Sequence, residues 1–438
     1  MKRLCLSTLL LANLVFAQNS IFVLCEGNFN TPNASLWKIN GELSEVSGPI
    51  HWNENTNPLG DTGQSLAIAG DKLYVVVNNS HTLEILDLSS GSPVYESTIP
   101  VPFASPRYME IVDGIGYLTC WYLNGILRID LISNTILDTI SVDGMPEDIL
   151  HLNDKLYVSI PMTPSWATAN SVLEIDISGT EPQITNSFEV IPGPGLMTSF
   201  ENSIYVSSTY YDADWNSYYG ISKITPTSGE VVTRDFGASY SFGTDIAVFQ
   251  GEVYITYLTG AAPLTDSLTV DESRLIGNFS SVYSMAAYGN YLYFGLSDYV
   301  APDDVYILDS NGNTVGSFRV GAIPGAFAFY DITASTDSQT DVLQQPRNYS
   351  LNQNYPNPFN ARTSIEYMLP VDGDVALVVY SLTGEKMIDL VLEYQRSGSH
   401  CIQWDGKSAN GRVLPSGLYI YRLTTPAGNI TKKMVYLR

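Results

Sequence analysis

Seven short segments of the chain share one alternation of apolar and polar positions, each with an aromatic residue in second place. They are IFVLCE at 21, LYVVVN at 73, GYLTCW at 116, LYVSIP at 156, IYVSST at 204, VYITYL at 253 and LYFGLS at 292. Runs this rich in aromatic and β-branched residues predict strands. The aromatics, Phe22, Tyr74, Tyr117, Tyr157, Tyr205, Tyr254 and Tyr293, recur at intervals of 39 to 52 residues. Ahead of every copy but the first comes another short strand and a tight turn, as in SLAIAGDK, EIVDGIG, ILHLNDK, TSFENS, IAVFQGE and AAYGNY, where Gly, Asn and Asp supply the positive φ of a hairpin. After most copies a third strand follows, WKIN, EILD, LRID, LEID, SKIT or YILD. Asp87, Asp130, Asp176 and Asp309 at the ends of these predict turns held by side-chain to backbone hydrogen bonds. The sixth repeat shows no clear third strand.

The interval is that of a four-stranded propeller blade, so seven copies predict a seven-bladed β-propeller. The ends support a ring over an open array. The first copy lacks an inner strand, while Ala326-Phe327-Ala328-Phe329 reads as an inner strand with nothing after it. Pairing them, with Phe327 alongside Phe22, removes two exposed sheet edges. An eight-bladed ring or an open solenoid is the alternative count.

Past the ring the pattern changes. Residues 334–350 are poor in large apolar residues and predict a flexible linker. In 351–438, strand-like runs such as Ser364 to Met368, Val375 to Tyr380 and Leu418 to Leu423 alternate with Gly, Asn, Asp and Pro, which predicts a small immunoglobulin-like β-sandwich. At the other end, Lys2 and Arg3, an apolar run to Phe16 and then Ala17 predict a signal peptide over residues 1–17. About a dozen apolar residues are too few to span a bilayer. The chain is therefore expected to be all-β, with the propeller over 18–333.

Composition refines this picture. The formal charge is −24, and residues 18 to 350 hold ten Lys or Arg against thirty-eight Asp or Glu, a surface that repels nucleic acid and anionic lipid. Cys25, Cys120 and Cys401 are odd in number and far apart, which reads as buried thiols rather than disulfides or a metal site. Only four histidines are present, His51, His81, His151 and His400, with no HExxH, GxSxG or phosphate-binding glycine loop. No cofactor is expected. One stretch, Asp212, Asp214 and Asn216 at alternate positions, resembles the first half of a calcium loop but lacks its Gly and terminal Glu.

Propeller geometry supplies better candidates, because second-to-third-strand loops and inter-blade connections share one face. The loops contribute Trp121, Tyr122, Trp166, Tyr210, Tyr211, Trp215, Tyr218, Tyr219 and Tyr299; the connections contribute Asp61, Gln64, Arg107, Tyr108, Glu147, Asp148 and Phe242. Aromatic faces mixed with a few polar groups suit a ring-shaped or saccharide ligand. Packing between blades is the alternative role for these residues, and an inter-blade ion pair the alternative for Arg107.

Two resemblances extend the reading. FVLCEGNFNTPNASL, LGDTGQSLAIAGDKLYVVVNNS, SPRYMEI and MPEDILHLNDKLYVS resemble the YVTN-type propellers related to surface-layer proteins, over residues 20 to 330, with Cys25 standing where the opening phrase usually has Asn. That resemblance implies a surface or secreted protein, and for some members corrinoid capture in partnership with outer-membrane transporters. The C-terminal segment is similar to the type A sorting domain of the type IX secretion system, itself similar to the flagellar hook-capping domain. Asn354, Pro356, Asn357, Pro358 and Phe359 match its opening, Trp404, Asp405 and Gly406 its centre, Gly417 its late hairpin, and Lys432 and Lys433 its end. It implies a diderm bacterial source, export through the periplasm with the secretion machinery as partner, and release or attachment at the outer surface. The function expected is non-enzymatic capture of a small molecule, corrinoid, glycan or surface protein. The alternatives are a lyase or hydrolase using carboxylates of the same face, or a structural, adhesive surface component.

Overall fold

The computed structural model describes residues 19–50, 59–179, 181–238, 242–300, 302–331 and, with short gaps, 350–437. The expected signal peptide, His51 and nearly all of the expected linker lie outside the described residues. The seven aromatic-bearing segments each form the second strand of a separate antiparallel sheet. Their aromatic residues are all buried, Phe22 at 1% exposure and Tyr205, the least covered, at 9%. A middle strand is sandwiched between neighbouring sheets, and burying one such ring contributes roughly 1.5–3 kcal/mol.

These sheets are the blades of a seven-bladed propeller. The inner strands are Pro324–Tyr330, Gly63–Ala69, Pro106–Val112, Ile149–Leu152, Pro194–Phe200, Phe242–Phe249 and Val282–Tyr288, and each contacts the next around a closed circuit. We number the blades 1 to 7 in that order. Seven apolar clusters each join two successive blades. The last, with Ile21, Val23, Tyr293, Val305 and Ile307, joins blade 7 to blade 1.

Closure is by the strand Pro324–Tyr330, which pairs antiparallel with Ser20–Cys25. Phe327 lies opposite Val23, and Phe22 opposite Ala328, one residue from the expected register. The side chains show why. Phe327 and Phe329 both lean on Tyr293 of blade 7, and Phe329 stacks on Tyr288 at 4.4 Å, so they belong to the blade 7 side, whereas Phe22 packs toward blade 2. Blade 6 is the irregular one. Its third strand is the short Gly260–Pro263, and the place of a fourth is taken by a bridged excursion through a 3-10 turn, Glu272–Arg274, with Arg274 paired to Glu252 and Asp271.

The turn aspartates behave as expected: Asp87, Asp130, Asp176 and Asp309 each accept the N–H two residues on, at 2.8 to 2.9 Å. All four carboxyls are held below the usual range: Asp87, at about 2, chiefly by Lys72, Asp176 by the Ser178 hydroxyl, Asp309 by the Asn313 amide and Asp130 by the N–H groups of Ser133 and Ile132, with the turn N–H adding to each of the first three. Cys25 and Cys120 are buried free thiols, pushed upward by burial.

The C-terminal strands form two sheets around their own core. One holds Ser350–Leu351, Thr363–Leu369 and Gly398–Trp404; the other holds Lys386–Gln395, Gly373–Ser381, Gly417–Thr425 and Gly428–Tyr436. Phe359, Trp404, Tyr421 and Tyr436 fill the space between them.

Candidate functional site

Inner strands enter the ring from the inter-blade connections, and near that end their pairing with the second strand slips. Register shifts fall between Gly63 and Ser65, Pro106 and Met109, Pro194 and Met197, Phe242 and Ile246, and Val282 and Ser284. A bulge re-aims the residues it frees. Gln64, Arg107, Tyr108, Asp245 and Tyr283 all lie in these bulges and line a central cavity of about 1400 Å³. In blade 4 the same place, just before the strand Ile149–Leu152, is held by Glu147 and Asp148, which also line it.

The wall is polar at this level. Arg107 gives a two-pronged bond to Glu147, Nε to Oε2 at 2.8 Å and Nη2 to Oε1 at 2.6 Å, and donates through Nη1 to Gln64. Its guanidinium also lies 4.1 Å over the ring of Trp121. Burial works against the charge of Arg107, but Glu147 outweighs it and holds the group above its ordinary value. Asp148 Oδ2 accepts the N–H of Met197 in the next blade at 2.7 Å, and Asp245 Oδ2 accepts that of Met285. Asp245 is buried, and that burial pushes its carboxyl up to about 7. Hydroxyls at matching places in second strands brace the wall: Thr119 donates to the Glu147 carbonyl and Ser207 to that of Thr244, both at 2.6 Å.

Above the polar level the second-to-third-strand loops raise an aromatic rim. Trp121 meets Trp166 edge to face at 6.0 Å, Tyr122 meets Trp166 at 6.5 Å, and Tyr299 meets Tyr283 at 5.7 Å. Tyr122, Trp166 and Tyr299 are more than half exposed, and Phe29 adds a fourth open ring. Trp166 and Tyr299 hold φ of 65° and 64°, a region that bulky residues occupy only under strain.

Ten of the sixteen residues expected at the face therefore meet at this cavity: Gln64, Arg107, Tyr108, Trp121, Tyr122, Glu147, Asp148, Trp166, Tyr219 and Tyr299. Asp61, Tyr210, Tyr211, Trp215 and Tyr218 lie outside its lining. Asp61 bonds Thr62 and Asn79 beside blade 2. Tyr210, Tyr211 and Trp215 belong to the blade 5 hairpin, where Tyr210 stacks on Tyr218 at 5.2 Å and bonds Asp235, while Tyr211 leans on Trp215. In that hairpin Asp212 is a turn anchor, accepting from Asp214 N, Asn216 N, Asn216 Nδ2 and Tyr218 Oη. Asp309 makes the same bonds with Asn311 and Asn313 in blade 7. Asp214 and Asn216 thus contribute backbone and amide donors to this turn. Among the described residues no three His, Cys, Asp or Glu side chains converge as metal ligands.

Glu26, Asp245 and Tyr283 are cavity residues that sequence reasoning missed. For Asp245 a signal existed: Asp-Ile opens the inner segment at both 148 and 245. Glu26 closes the first aromatic-bearing copy and was read there only as the end of a strand.

The C-terminal signature residues have structural roles that tie the two ends of the module together. Asn354 N–H donates to Tyr421 Oη at 2.8 Å, and its amide to Thr363 at 2.9 Å. Asn357 Oδ1 accepts from Val435 N at 2.7 Å, and Phe359 bridges to Val435 and Leu437 while stacking on Tyr436 at 4.7 Å. Pro358 follows Asn357 through a cis bond; Pro356 lies outside the described residues. Trp404 donates its indole N–H to the Lys407 carbonyl at 2.9 Å. Asp405 pairs with Lys407, and Gly406 sits at φ 71° where a Cβ would lie 2.7 Å from the Tyr436 ring. Gly417 opens the late hairpin, with Lys432 half-buried and Lys433 exposed on the last strand.

This arrangement belongs to a known family: residues 353–437 match the secretion system C-terminal sorting domain. The module is a sorting domain. A sorting domain of this family directs export through the type IX secretion system, to the cell surface or the extracellular space. Among the described residues no helix is long and apolar enough to cross a membrane. For the fold, two solved structures are similar. A functionally unknown protein from Desulfotomaculum acetoxidans DSM 771 is 16% identical with a TM-score of 0.51, covering 71% of this chain and 98% of its own. A protein from Lactobacillus plantarum is 12% identical with a TM-score of 0.52, covering 72% and 99%. At such identity the likeness concerns fold alone. No curated protein matches the sequence.

Proposed function

We propose that the chain is an exported binding protein, delivered by its sorting domain to the outer surface of a diderm bacterium, that captures a ligand in the propeller cavity. One observation carries the reading. Bulges in successive inner strands aim polar side chains into a single cavity of about 1400 Å³, under a rim of exposed aromatic rings. That volume is at or above the upper end for small-molecule sites, and the layering of flat faces over fixed polar groups suits orientation of a bulky ligand. A corrinoid or a glycan is of suitable size. Capture is favoured over catalysis because Glu147 and Asp148, the carboxylates a propeller enzyme would use, are committed to Arg107 and to Met197. A purely adhesive role leaves the convergence of polar side chains beneath Trp166 and Tyr299 without a reason.

The test is calorimetry on the full chain with cyanocobalamin and a panel of neutral oligosaccharides. Trp166→Ala with Tyr122→Ala should weaken capture at least tenfold while leaving the melting temperature within about 2 °C, since both side chains are largely exposed. Trp215→Ala lies off the lining and should retain capture; a loss there as well would extend the footprint onto the blade 5 hairpin. Binding that is indifferent to the rim substitutions would remove this reading. The same instrument tests calcium at Asp212, Asp214 and Asn216, where heat and a raised melting temperature reversed by chelator would mark a site.

A further inference from the structure

One carboxylate of the cavity wall keeps an oxygen without a partner. Glu26 sits at the seam of blades 7, 1 and 2, where its N–H donates to the Ile323 carbonyl at 2.8 Å and its own carbonyl accepts from Gly63 at 3.1 Å. Its Oε1 accepts from the Tyr283 hydroxyl at 2.8 Å, while Oε2 has no hydrogen-bond partner among the described residues, and Glu26 lines the cavity. The neighbouring acids are engaged: Glu147 is matched by Arg107, and Asp148 and Asp245 hold the N–H of the next blade. Since the charge of Arg107 is already matched, that of Glu26 is surplus to the wall.

The fold keeps room for this group and flanks it with rings. Gly325 of the closing strand faces Glu26 so closely that a Cβ there would lie 2.4 Å from Oε1. Tyr283 and Tyr299 stand edge to face at 5.7 Å beside it, and the Asn28 amide fixes the Tyr299 carbonyl at 3.0 Å. A half-satisfied carboxylate beside these aromatic rings attracts a cation twice, by direct charge and through the ring quadrupoles. An anion is repelled there, and a neutral ligand gains only a hydrogen bond.

We infer that the cavity selects an organic cation, a protonated amine or quaternary ammonium on an apolar body, received by Glu26 beside the packed Tyr283 and Tyr299 rings. The inference rests on the capture reading above and names the chemistry of its ligand.

Calorimetry on the full chain with phenethylamine, benzyltrimethylammonium, phenethyl alcohol and phenylacetate tests it. Both cations are expected to bind, the alcohol at least tenfold more weakly, and phenylacetate not at all. Glu26→Gln should reduce cation affinity at least tenfold and abolish the preference over the alcohol, and the wild-type ranking stands as a test should that variant misfold. Equal affinity for amine and alcohol, no heat from either cation at millimolar concentration, or full cation affinity in Glu26→Gln would overturn it. Capture of a neutral saccharide with neither cation bound would remove this inference and leave the capture reading intact.

Discussion

Asp148 and Asp245 occupy matched places before the inner-strand residues Ile149 and Ile246, and each carboxylate receives a backbone N–H from the following blade. Asp245 does so in full burial, which favours its neutral form. Because the folded protein then holds that proton more tightly than the unfolded chain, the contribution to stability is complete below about pH 4 and is lost as pH rises through about 7. Asp245→Asn keeps an acceptor for Met285 and cannot ionise. Its melting temperature should equal that of the wild type near pH 4 and exceed it increasingly toward pH 8, by the equivalent of roughly 4 kcal/mol. Parallel thermal scans across that range check it; identical profiles for the two proteins would contradict it. Glu26 is shifted in the same direction, chiefly by burial and against the pull of the Tyr283 hydroxyl. Turn residues were legible at this scale, since Asp87 or Asp130 needs only the peptide groups two residues away. The Arg107–Glu147 pair was legible only as an alternative, because its partners are forty residues apart and meet through blade packing.

Among the elements, the closing strand Pro324–Tyr330 has the largest consequence. It supplies the inner strand of blade 1 and the stacking of Phe329 on Tyr288, so that one segment covers both the Ser20–Cys25 edge and the flank of blade 7. Removing residues 324–330 should lower the melting temperature by roughly 10 °C or more and broaden the transition, because the last inter-blade cluster loses Phe327 and Phe329 and the Ser20–Cys25 edge is exposed. Calorimetric scanning of that variant is the measurement, and an unchanged transition would mean closure is dispensable. The strand was legible from composition alone, yet its register came out one residue away. Alternation identifies a strand and its two faces, whereas register depends on which neighbour each face packs against, here Tyr293 and Tyr288 rather than Phe22.

For the whole molecule, a near-neutral sorting domain carries delivery, and under the capture proposal the acidic ring carries binding. Deleting residues 351–438 should leave the propeller folded but held in the periplasm of its host, since the blade clusters do not draw on the sorting-domain core. Fractionation of cells expressing the truncated chain checks this; its appearance at the surface would assign export to another segment. Repetition, strand alternation and the closing half-blade were written in the order of residues, because they follow from period and polarity, which are local or recurrent properties. So was the sorting signature, whose Asn354, Phe359 and Trp404 stand at recognisable spacings. The cavity was settled only in three dimensions. Bulges whose positions no local pattern marks turned Gln64, Arg107 and Asp245 inward, and ring closure brought Glu26 of the first blade against Tyr283 of the seventh, a contact that exists only because seven blades complete a circle.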